Sequence, residues 1–477
     1  MNSEDITVTA VAFAVVELLG VVTAGHAVMY ARTSQGAIAW SICLVIFPYL
    51  TLPLYWVFGR NRFQGYIKAR QSGKLEIHRL VARVRQYVRE QGFVSEKPHP
   101  EHYVLEALVK MKFSRSNRVE LLIDGQATFG TIFDAIEKAR DYILVQFFIV
   151  HDDTLGRELK QRLEKKSKAG VRVFFLYDEI GSRGLPRSYV NELKQADIDV
   201  RPFHSTRGRR NRFQLNFRNH RKIVVVDGQE AYVGGLNVGD EYMGRSAKIG
   251  AWRDTHVKLT GPCVHSVQLV FVEDWYWTTR ELPELDWTPR PTEGSHQNVL
   301  ILPSGPADRL ETCGMFFVHA INSAKRRLWI ASPYFVPDIH VMCALQMAAL
   351  RGVDVRIMLP QKPDHVLVYL SGFSFLKEAE QAGVSIHRYQ PGFLHQKVLL
   401  VDDEFAAVGT ANLDNRSFRL NFEITAVVND REFATQVAAM LECDFSNCKV
   451  MTSSDLQERP FWFKLAVSTA RLLAPIQ

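Results

Sequence analysis

The chain has 477 residues, of which 47% are hydrophobic, and it carries a formal net charge of +7. A chain of this length and composition can bury the cores of two or three domains, which excludes an intrinsically disordered protein. The excess of positive charge favours an anionic partner, either nucleic acid or an anionic lipid surface, and composition does not choose between them. The six cysteines include no Cys-x-x-Cys pair, so we expect reduced thiols and neither a disulfide framework nor a structural zinc site.

The segment 1–58 predicts two membrane spans. Residues 6–30 are apolar over about the thickness of a bilayer, and residues 38–58 carry no charge. A carboxylate at the centre of a membrane helix costs about 2.5–3.5 kcal/mol unless it is paired, so we expect Glu17 to turn toward the second span. Pro48 should kink the second span without forbidding it. The acidic N-terminus and the immediate second span argue against a cleaved signal peptide.

The distribution of basic residues predicts the membrane orientation. Only Arg32 lies in the short loop between the spans, whereas a basic group follows the second span: Arg60, Arg62, Lys68, Arg70 and Lys74. By the positive-inside rule, the body of the protein and both termini should lie in the cytoplasm. We interpret residues 59–116, which are rich in Arg, Lys and Glu at helical spacing, as a juxtamembrane connector.

The body of the chain is an internal duplication. Residues 117–280 and 297–450 share the same sequence blocks in the same order, and the closing blocks are NHRKIVVVDGQEAYVGGLN from Asn219 and LHQKVLLVDDEFAAVGTAN from Leu394. Helical patterns alternate with β-rich runs, which predicts the α/β class. We therefore expect two α/β/α halves, residues 117–290 and 291–450, that pack about a pseudo-two-fold axis with a site at their interface.

The closing block of each half contains the strongest chemical motif, His-x-Lys-x4-Asp. Its residues are His220, Lys222 and Asp227 in the first half and His395, Lys397 and Asp402 in the second. Because side chains two apart on a strand share a face, each histidine and its lysine should point the same way. The aspartate lies at an odd spacing from the histidine and should point to the other face, where Asp227-Gly228 is typical of a turn. We interpret both aspartates as mainly structural.

Further polar residues follow each motif. Asn237 closes the segment GGLN and Asn412 closes GTAN, where small residues would let donors approach a phosphate, although a glycine pair alone more often marks a turn. A catalytic histidine also needs a partner for its second ring nitrogen. The candidates are Asp254 and Glu423, two acids on strand-like segments downstream of the two motifs.

The duplicated motif resembles the signature of the phospholipase D superfamily over about residues 117–450. The usual Gly-Ser step of that signature is Gly409-Thr410 in the second copy, which keeps the hydroxyl. With the two predicted spans and the segments SPYFVP at 332–337 and NLDNRSFRLNFE at 412–423, nearly the whole chain resembles bacterial cardiolipin synthases. The resemblance implies a multi-pass enzyme of the bacterial inner membrane that converts two phosphatidylglycerol molecules into cardiolipin and glycerol.

The resemblance also implies a role for each site residue. One histidine would attack phosphorus to form a phosphohistidine, and the other would protonate the leaving alcohol and deprotonate the incoming one. By position His220 is the nucleophile and His395 the general acid and base, although the order could be reversed. The oxygens of the phosphate would be held by Lys222, Lys397, Asn237 and Asn412, the histidines oriented by Asp254 and Glu423, and internal salt bridges formed by Asp227 and Asp402. No metal and no cofactor are implied.

Other functions stay open at this point. A phospholipase D-type hydrolase would let water resolve the same intermediate, and a phosphatidylserine synthase would use serine and a nucleotide-activated lipid. A nuclease or nucleic-acid-binding protein is the alternative from another class, but the two spans and the lack of basic, aromatic-interleaved stretches outside residues 207–218 argue against it. We therefore expect a membrane and lipids as partners and no nucleic acid, while monomer and homodimer both stay open.

Three further features allow a functional and an ordinary interpretation. A basic loop before the first motif either grips anionic lipid headgroups or is solvated: Arg207, Arg209, Arg210 and Arg212. The run His151-Asp152-Asp153 suggests a metal site, but we prefer a polar loop at a strand end. The segment 451–477 has aromatic residues, spaced cations and no acid after Arg459, which fits an interfacial helix or ordinary packing.

Overall fold

A computed structural model describes residues 3–59, 63, 66–67, 74–94, 102–203 and 216–477. The chain divides into two compact units, residues 1–68 with 205–217 and residues 69–204 with 218–477. Two predicted basic groups lie outside the described residues: Arg60, Arg62, Lys68 and Arg70 after the second predicted span, and Arg207, Arg209, Arg210 and Arg212 in the loop before the first motif.

The N-terminal unit contains α1 (Ser3–Tyr30), α2 (Ser34–Ile46) and α3 (Pro48–Phe58). Within the described part of the chain, α1 is the one helix that is long and apolar enough to cross a membrane, over Thr7–Tyr30. Glu17 is paired as expected, since Tyr49 OH on α3 donates a hydrogen bond to its carboxylate at 3.0 Å. This bond removes the penalty of an isolated carboxylate in an apolar helix.

The second predicted span is interrupted. The sequence predicts one kinked helix over residues 38–58, but α2 ends at Ile46 and α3 begins at Pro48. Phe47 lies between them at φ −131° and ψ 57°, because a proline disfavours the helical conformation of the residue before it and donates no N–H. The prediction of one continuous kinked helix is therefore wrong, and the second membrane span stays a prediction.

The larger unit begins with α4 (Lys74–Glu90) and α5 (His102–Val109). Its first half contains β1 (Ser114–Ile123), α6 (Asp124–Lys138), β2 (Tyr142–Phe147), α7 (Thr154–Lys168), β3 (Arg172–Asp178), α8 (Arg187–Gln195), β4 (Asp199–Phe203), β5 (Arg218–Asn219), β6 (Ile223–Val226), β7 (Glu230–Gly234), β8 (Trp252–Arg253), β9 (Thr255–Thr260) and α9 (Cys263–Thr279). A 3₁₀ turn at Asp240–Met243 lies between β7 and β8.

The second half repeats this pattern with additions. It contains β10 (Gln297–Ser304), α10 (Thr312–Ser323), β11 (Arg327–Ala331), β12 (Phe335–Val336), α11 (Ile339–Leu350), β13 (Asp354–Pro360), α12 (Val366–Phe373), α13 (Leu376–Gln381), β14 (Ser385–Tyr389), β15 (Phe393–Leu394), β16 (Val398–Val401), β17 (Phe405–Gly409), β18 (Leu413–Asp414), α14 (Asn415–Arg419), β19 (Asn421–Asn429), α15 (Arg431–Ser446) and β20 (Cys448–Met451). The chain ends with α16 (Ser454–Gln457), α17 (Phe461–Leu472) and a 3₁₀ turn at Ala474–Ile476.

One 16-stranded sheet runs through both halves in the order β20-β14-β13-β11-β16-β17-β19-β10-β1-β9-β7-β6-β2-β3-β4, with β5 paired to β19. The halves meet at the antiparallel pair of β1 and β10. Outward from this pair, β1, β9, β7, β6, β2, β3 and β4 correspond in order to β10, β19, β17, β16, β11, β13 and β14. The α/β class and the duplication are therefore confirmed. Strand β2 is buried along its whole length, as in a sheet covered on both faces.

The motif aspartates bind backbone amides at the start of a neighbouring strand. Both lie in the left-handed region at φ 51°, in the turn after the motif strand. The Asp227 carboxylate accepts hydrogen bonds from the N–H groups of Arg140, Asp141 and Tyr142 at 2.8, 2.8 and 2.9 Å. The Asp402 carboxylate accepts them from Lys325, Arg326 and Arg327 at 3.0, 2.8 and 3.0 Å. These contacts support the structural interpretation of both residues.

Replacement of Asp402 by asparagine should lower the free energy of unfolding by about 1–3 kcal/mol, because a charged acceptor of several N–H groups becomes a neutral amide with one acceptor oxygen. Asparagine tolerates a left-handed φ, so the turn is kept. The adjacent Asp403 forms ion pairs with Arg326 and Arg327 at the surface and supplies the matched control: Asp403→Asn should cost less than about 1 kcal/mol. Denaturant unfolding in detergent measures both variants, and equal losses would contradict the prediction.

Candidate active site

The two motif histidines lie where a strand of one half pairs with a strand of the other. Strand β5 runs parallel to the start of β19, and β15 runs parallel to β8. The pairing continues into the motifs, since the N–H of His220 donates to the carbonyl of Phe422 at 2.9 Å and the N–H of His395 donates to that of Arg253 at 2.8 Å. Each histidine is therefore positioned by the backbone of the opposite half.

The carboxylates that bind the histidines also come from the opposite half. Nδ1 of His220 lies 2.9 and 3.1 Å from the two carboxylate oxygens of Glu423, and Nδ1 of His395 lies 2.7 Å from Oδ2 of Asp254. These are the two acids selected from the sequence, but each one serves the motif of the other half. A carboxylate beside Nδ1 favours the tautomer protonated at that nitrogen, which leaves Nε2 as the reactive nitrogen.

Three side chains hold the carboxylate of Glu423 in place. It accepts hydrogen bonds from Thr410 Oγ1 at 2.5 Å, Ser417 Oγ at 2.9 Å and Asn421 Nδ2 at 3.2 Å. The sequence offered a signal for Thr410, the hydroxyl of the Gly-Thr step. Nothing in the sequence indicated that Ser417 or Asn421 would bind this carboxylate, because the segment after β17 must fold before their side chains reach Glu423.

Asp254 is held by different groups. It accepts hydrogen bonds from the N–H of Thr255 at 2.8 Å and from Nε1 of Trp252 at 3.3 Å. A Cβ atom on Gly235, the counterpart of Thr410, would lie 1.9 Å from Oδ1 of Asp254. The close approach of the carboxylate therefore requires glycine at this position. The indole of Trp252 also lies beside His395, with ring centroids 5.0 Å apart.

Both motif lysines are buried and fold back onto their own histidines. Nζ of Lys222 donates to the carbonyl of His220 at 2.7 Å, and Nζ of Lys397 donates to that of His395 at 2.5 Å. The ammonium of Lys222 also lies 5.4 Å from the ring centroid of Phe148, which contacts the ring of His220 edge-on at 5.0 Å. In such a dry environment, an ammonium group attracts an anion far more strongly than it does in water.

Burial makes both histidines neutral at pH 7. It lowers the pKa of His220 to about 4, with Glu423 opposing the shift and Lys222 adding to it. It likewise lowers the pKa of His395 to about 4, with Lys397 adding to the shift and Asp254 opposing it. A neutral imidazole can act as nucleophile or base. A bound phosphodiester would place a negative charge beside the rings and raise both pKa values, as a general acid requires.

The lysines and acids of the two halves form one electrostatic unit. Burial lowers the pKa of Lys222 to about 7 and that of Lys397 to about 8. Lys397 also acts across the interface and lowers the pKa of His220 and of Lys222. Burial is the largest influence on Glu423 and would raise its pKa, but the attraction and hydrogen bond of His220, the charge of Lys222 and the hydrogen bond of Thr410 together lower that pKa. The site therefore combines ionised carboxylates, neutral imidazoles and weakly held lysine protons.

Asn237 and Asn412 are buried beside the motif strands. The amide oxygen of Asn237 accepts from the N–H of Ile149 at 3.1 Å, and its nitrogen donates to Tyr242 OH at 3.2 Å. The amide nitrogen of Asn412 donates to Asp414 at 3.4 Å. These contacts fix the orientation of both amides, and their contact with phosphate stays a prediction.

One buried ion pair and one buried hydrogen bond join the halves next to the histidines, and a second buried ion pair lies within the first half. The carbonyl of Arg253 accepts the N–H of His395, and the guanidinium of Arg253 binds both carboxylate oxygens of Asp444 at 2.8 Å. Arg221, the middle residue of the first motif, binds Asp274 at 2.7 Å and donates from Nε to the carbonyl of Glu423 at 3.1 Å. Neither arginine was recognised in the sequence, because their partners lie far away in the chain.

The family described as "Cardiolipin synthase, PLD-like domain" matches residues 132–258 and 317–445, once in each half. The chain belongs to this cardiolipin synthase family. Cardiolipin synthase A of Pseudomonas putida (strain GB-1) is 52% identical over 468 residues, 97% of either chain. Cardiolipin synthase A of Pseudomonas aeruginosa (strain LESB58) is 51% identical over 97% of this chain and 94% of its own. The solved phosphatidylserine synthase of Haemophilus influenzae Rd KW20 shares the fold, with a TM-score of 0.60 and 15% identity over 80% of this chain and all of its own.

The chain contains a second His-x-Lys pair, whose contacts are those of structural residues. His256-x-Lys258 repeats the first half of the motif, but Cys263 stands where the aspartate would be. Nδ1 of His256 accepts the N–H of Leu236 at 3.4 Å, and Lys258 forms an ion pair with Glu230 at 3.0 Å. These partners agree with a structural role for the pair.

The run His151-Asp152-Asp153 forms a capped loop. One oxygen of Asp153 accepts the N–H of Gly156 at 3.0 Å and caps α7, and the other accepts the N–H of Asp240 at 2.6 Å. His151, Asp153 and Glu241 offer ligand atoms within 4.8 Å of one another. Because both oxygens of Asp153 are already bonded, the contacts favour the loop interpretation.

The lysine pKa values predict the alkaline limit of activity. A lysine is charged below its pKa, so the free enzyme should lose its phosphate-attracting charges as pH rises through about 7 for Lys222 and about 8 for Lys397. We expect kcat/KM to fall over this range and kcat to persist to higher pH, because a bound phosphate raises the lysine pKa. Lys222→Arg keeps a charge at all these pH values and should shift the fall in kcat/KM to higher pH. Rates in mixed micelles test this, and parallel profiles of kcat and kcat/KM would contradict it.

Proposed function

We propose that the chain is a cardiolipin synthase that transfers a phosphatidyl group from one phosphatidylglycerol molecule to another, giving cardiolipin and glycerol. The observation that carries the proposal is the presence of two complete histidine–carboxylate pairs at the interface of the halves, in a chain 52% identical to a Cardiolipin synthase A over 97% of its length. Exchange of one phosphodiester for another is nearly isoenergetic, so the reaction needs no nucleotide.

The proposed reaction has two steps. Binding of the anionic substrate raises the pKa of His395, which takes up a proton from solvent. In the first step, Nε2 of His220 attacks the phosphorus of one phosphatidylglycerol, the bond from phosphorus to the glycerol oxygen breaks, and protonated His395 gives its proton to the departing glycerol. In the second, the terminal hydroxyl of another phosphatidylglycerol loses its proton to His395 and attacks the same phosphorus. The bond from phosphorus to His220 then breaks and cardiolipin leaves, which restores neutral His220 and protonated His395.

The surrounding charges suit this sequence of steps. Glu423 would stabilise the positive ring of the phosphohistidine, and Asp254 would stabilise the imidazolium of His395. The non-bridging oxygens carry the negative charge of the transition state, and four donors would hold them: Lys222, Lys397, Asn237 and Asn412. Asp227 and Asp402 belong to the motif and support it through the backbone. The proposed steps use no metal and no cofactor.

We further propose that the protein is an inner-membrane protein with two spans and a cytoplasmic body, and that its halves are related by a pseudo-two-fold axis. The apolar helix Thr7–Tyr30 and the basic residues after residue 58 support the membrane assignment. The matching strand order outward from β1 and β10 supports the axis. Monomer and homodimer are equally compatible with this arrangement.

The test of function incubates the solubilised protein with phosphatidylglycerol vesicles, without added metal or nucleotide, and follows lipids and glycerol by mass spectrometry. Cardiolipin and glycerol should form in equal amounts. His220→Ala should abolish both products, because it removes the nucleophile. His340→Ala, a replacement of an exposed histidine on α11, is the matched control and should keep the activity.

Other products would replace the proposal with a specific alternative. Phosphatidic acid alone would identify a hydrolase. Cardiolipin that forms only with added phosphatidylethanolamine would change the second substrate. Product formation only from serine and a nucleotide-activated lipid would identify a phosphatidylserine synthase, and nucleic-acid cleavage without lipid turnover would reject lipid chemistry.

A substrate with a good leaving group can assign the two histidines. Phosphatidyl-p-nitrophenol needs no protonation of its leaving group, so His395→Ala should release a stoichiometric burst of p-nitrophenolate and then stall without its general base. Peptide mass spectrometry at neutral to alkaline pH should find the phosphatidyl group on His220. His220→Ala should show neither burst nor adduct. A burst in His220→Ala with an adduct on His395 would reverse the two roles.

A further inference from the structure

The C-terminal helix α17 uses one of its sides to bind the catalytic unit. Val467 and Ala470 on this side are buried. The ring of Phe463 contacts that of Phe373 on α12, with centroids 5.2 Å apart. This packing explains the apolar residues on the inner side of α17. A surface helix of a soluble protein normally carries only one such apolar stripe.

The opposite side of α17 is apolar as well, and it is exposed. Phe461, Trp462, Leu465 and Leu472 are 67, 74, 45 and 79% exposed. At 100° per residue, Phe461, Leu465 and Leu472 fall within one narrow stripe on the side away from Val467, with Trp462 next to it. Ser468 and Thr469 lie between Leu465 and Leu472 on this side. Four large apolar side chains exposed on one side of a short helix still indicate a surface that meets something other than water.

The charged side chains of α17 itself have one sign. Between Pro460 and Gln477 the chain contains no acid. Lys464 and Arg471 lie along one edge of the apolar stripe, where Arg471 forms an ion pair with Glu378 on α13 at 2.8 Å. On the neighbouring helix α12, Val366 and Leu367 are 66 and 41% exposed. Aromatic and aliphatic side chains bordered by cations match the interface of an anionic bilayer, where rings sit at headgroup level and cations meet phosphates.

The same part of the unit lies close to one of the reactive histidines. The loop before α12 contains Asp364, which accepts a hydrogen bond from Tyr334 OH at 2.6 Å. The charge of Asp364 reaches the site, where it raises the pKa of His395 and of Lys397 against the effect of burial. A surface at α12 and α17 would therefore hold the His395 side of the site near its lipid substrates.

We propose that the outer stripe of α17, with the start of α12, docks the catalytic unit onto the surface of an anionic phospholipid bilayer. The occupant is a membrane because the same chain carries a helix able to cross one, α17 itself carries cations and no acid, and its exposed rings have interfacial chemistry. Docking is a contact of the folded unit with the bilayer surface and is separate from anchoring by α1. It does not depend on which lipid accepts the phosphatidyl group.

The activity test compares two triple variants in the full-length protein. Phe461→Ser, Trp462→Ser and Leu465→Ser together remove three of the four large apolar side chains on the outer side of α17. Ile339→Ser, Met347→Ser and Leu350→Ser remove three side chains of α11 that are 79, 49 and 69% exposed. The first variant should lose roughly ten-fold in cardiolipin formation on phosphatidylglycerol vesicles, because bilayer affinity scales with the apolar area inserted. It should keep its rate on monomeric short-chain phosphatidylglycerol in solution, and the α11 variant should keep both rates.

The outcomes separate docking from a structural role. Equal losses on vesicles and on monomeric substrate would show that the stripe only supports the fold, and equal losses in both triple variants would show that α17 is not the docking element. Either result overturns the proposal. A change from dimer to monomer in the α17 variant, seen by light scattering in detergent, would assign the stripe to a second copy of the chain and also overturns it.

A label on the helix tests docking without any enzymatic readout. Trp462→Cys and Met347→Cys, each in a background with Cys43, Cys343 and Cys443 changed to Ser, carry an environment-sensitive fluorophore in vesicles of phosphatidylglycerol and phosphatidylcholine. Nitroxide-labelled lipids should quench the probe at position 462 much more than the probe at 347. Equal quenching would overturn docking. This readout decides the proposal even for a protein that forms no cardiolipin.

Discussion

The hydrogen bonds between His220 and Glu423 and between His395 and Asp254 connect positions that are 203 and 141 residues apart in the chain. All four side chains are buried, and a buried charge that loses its partner costs about 3–5 kcal/mol. The two halves must therefore dock in the register that pairs β5 with β19 and β15 with β8. The continuous sheet through β1 and β10 provides that register. The position of each reactive group thus depends on the interface of the halves more than on its own strand.

The same interface explains how the site can hold so many ionisable groups. Isolated charges would not tolerate this degree of burial, but each carboxylate has a histidine and further donors, and Arg253 has Asp444. The lysines are the least compensated members, as their lowered pKa values show. A phosphodiester would supply the missing negative charge. Burial of the two lysines without enough negative charge beside them costs free energy in the absence of substrate. The same lack of negative charge favours the binding of an anionic substrate.

The sequence was most informative where spacing alone determines geometry. The repeated His-x-Lys-x4-Asp motif, its odd-spaced aspartates and the alternation of helices and strands lead directly to the duplicated α/β fold and to six residues of the site. Residue type and strand position also identified Asp254 and Glu423. Their exchange between the halves could not be read from the sequence, because no local rule says which of two equivalent strands a histidine will meet.

Tertiary contacts account for most of what was missed. Trp252 on β8, Ser417 on α14 and Asn421 on β19 bind the carboxylates only after these elements have packed together. The break at Phe47 is a different case, since the residue before a proline is locally restricted and the rule was available from Pro48. The apolar run of residues 38–58 is long enough for one span, but its length does not show that the helix is continuous through Phe47.

The exchange of carboxylates also has a consequence for biosynthesis. A ribosome completes His220 long before it reaches Glu423, 203 residues later. While only the first half has been translated, its histidine lacks the acid that fixes the reactive tautomer, even if that half has already folded beside a membrane full of phospholipid. Chains that stop early share this defect. With His220 and Glu423 in their proposed roles, reactivity toward lipid would begin only when translation is nearly finished and the halves have docked.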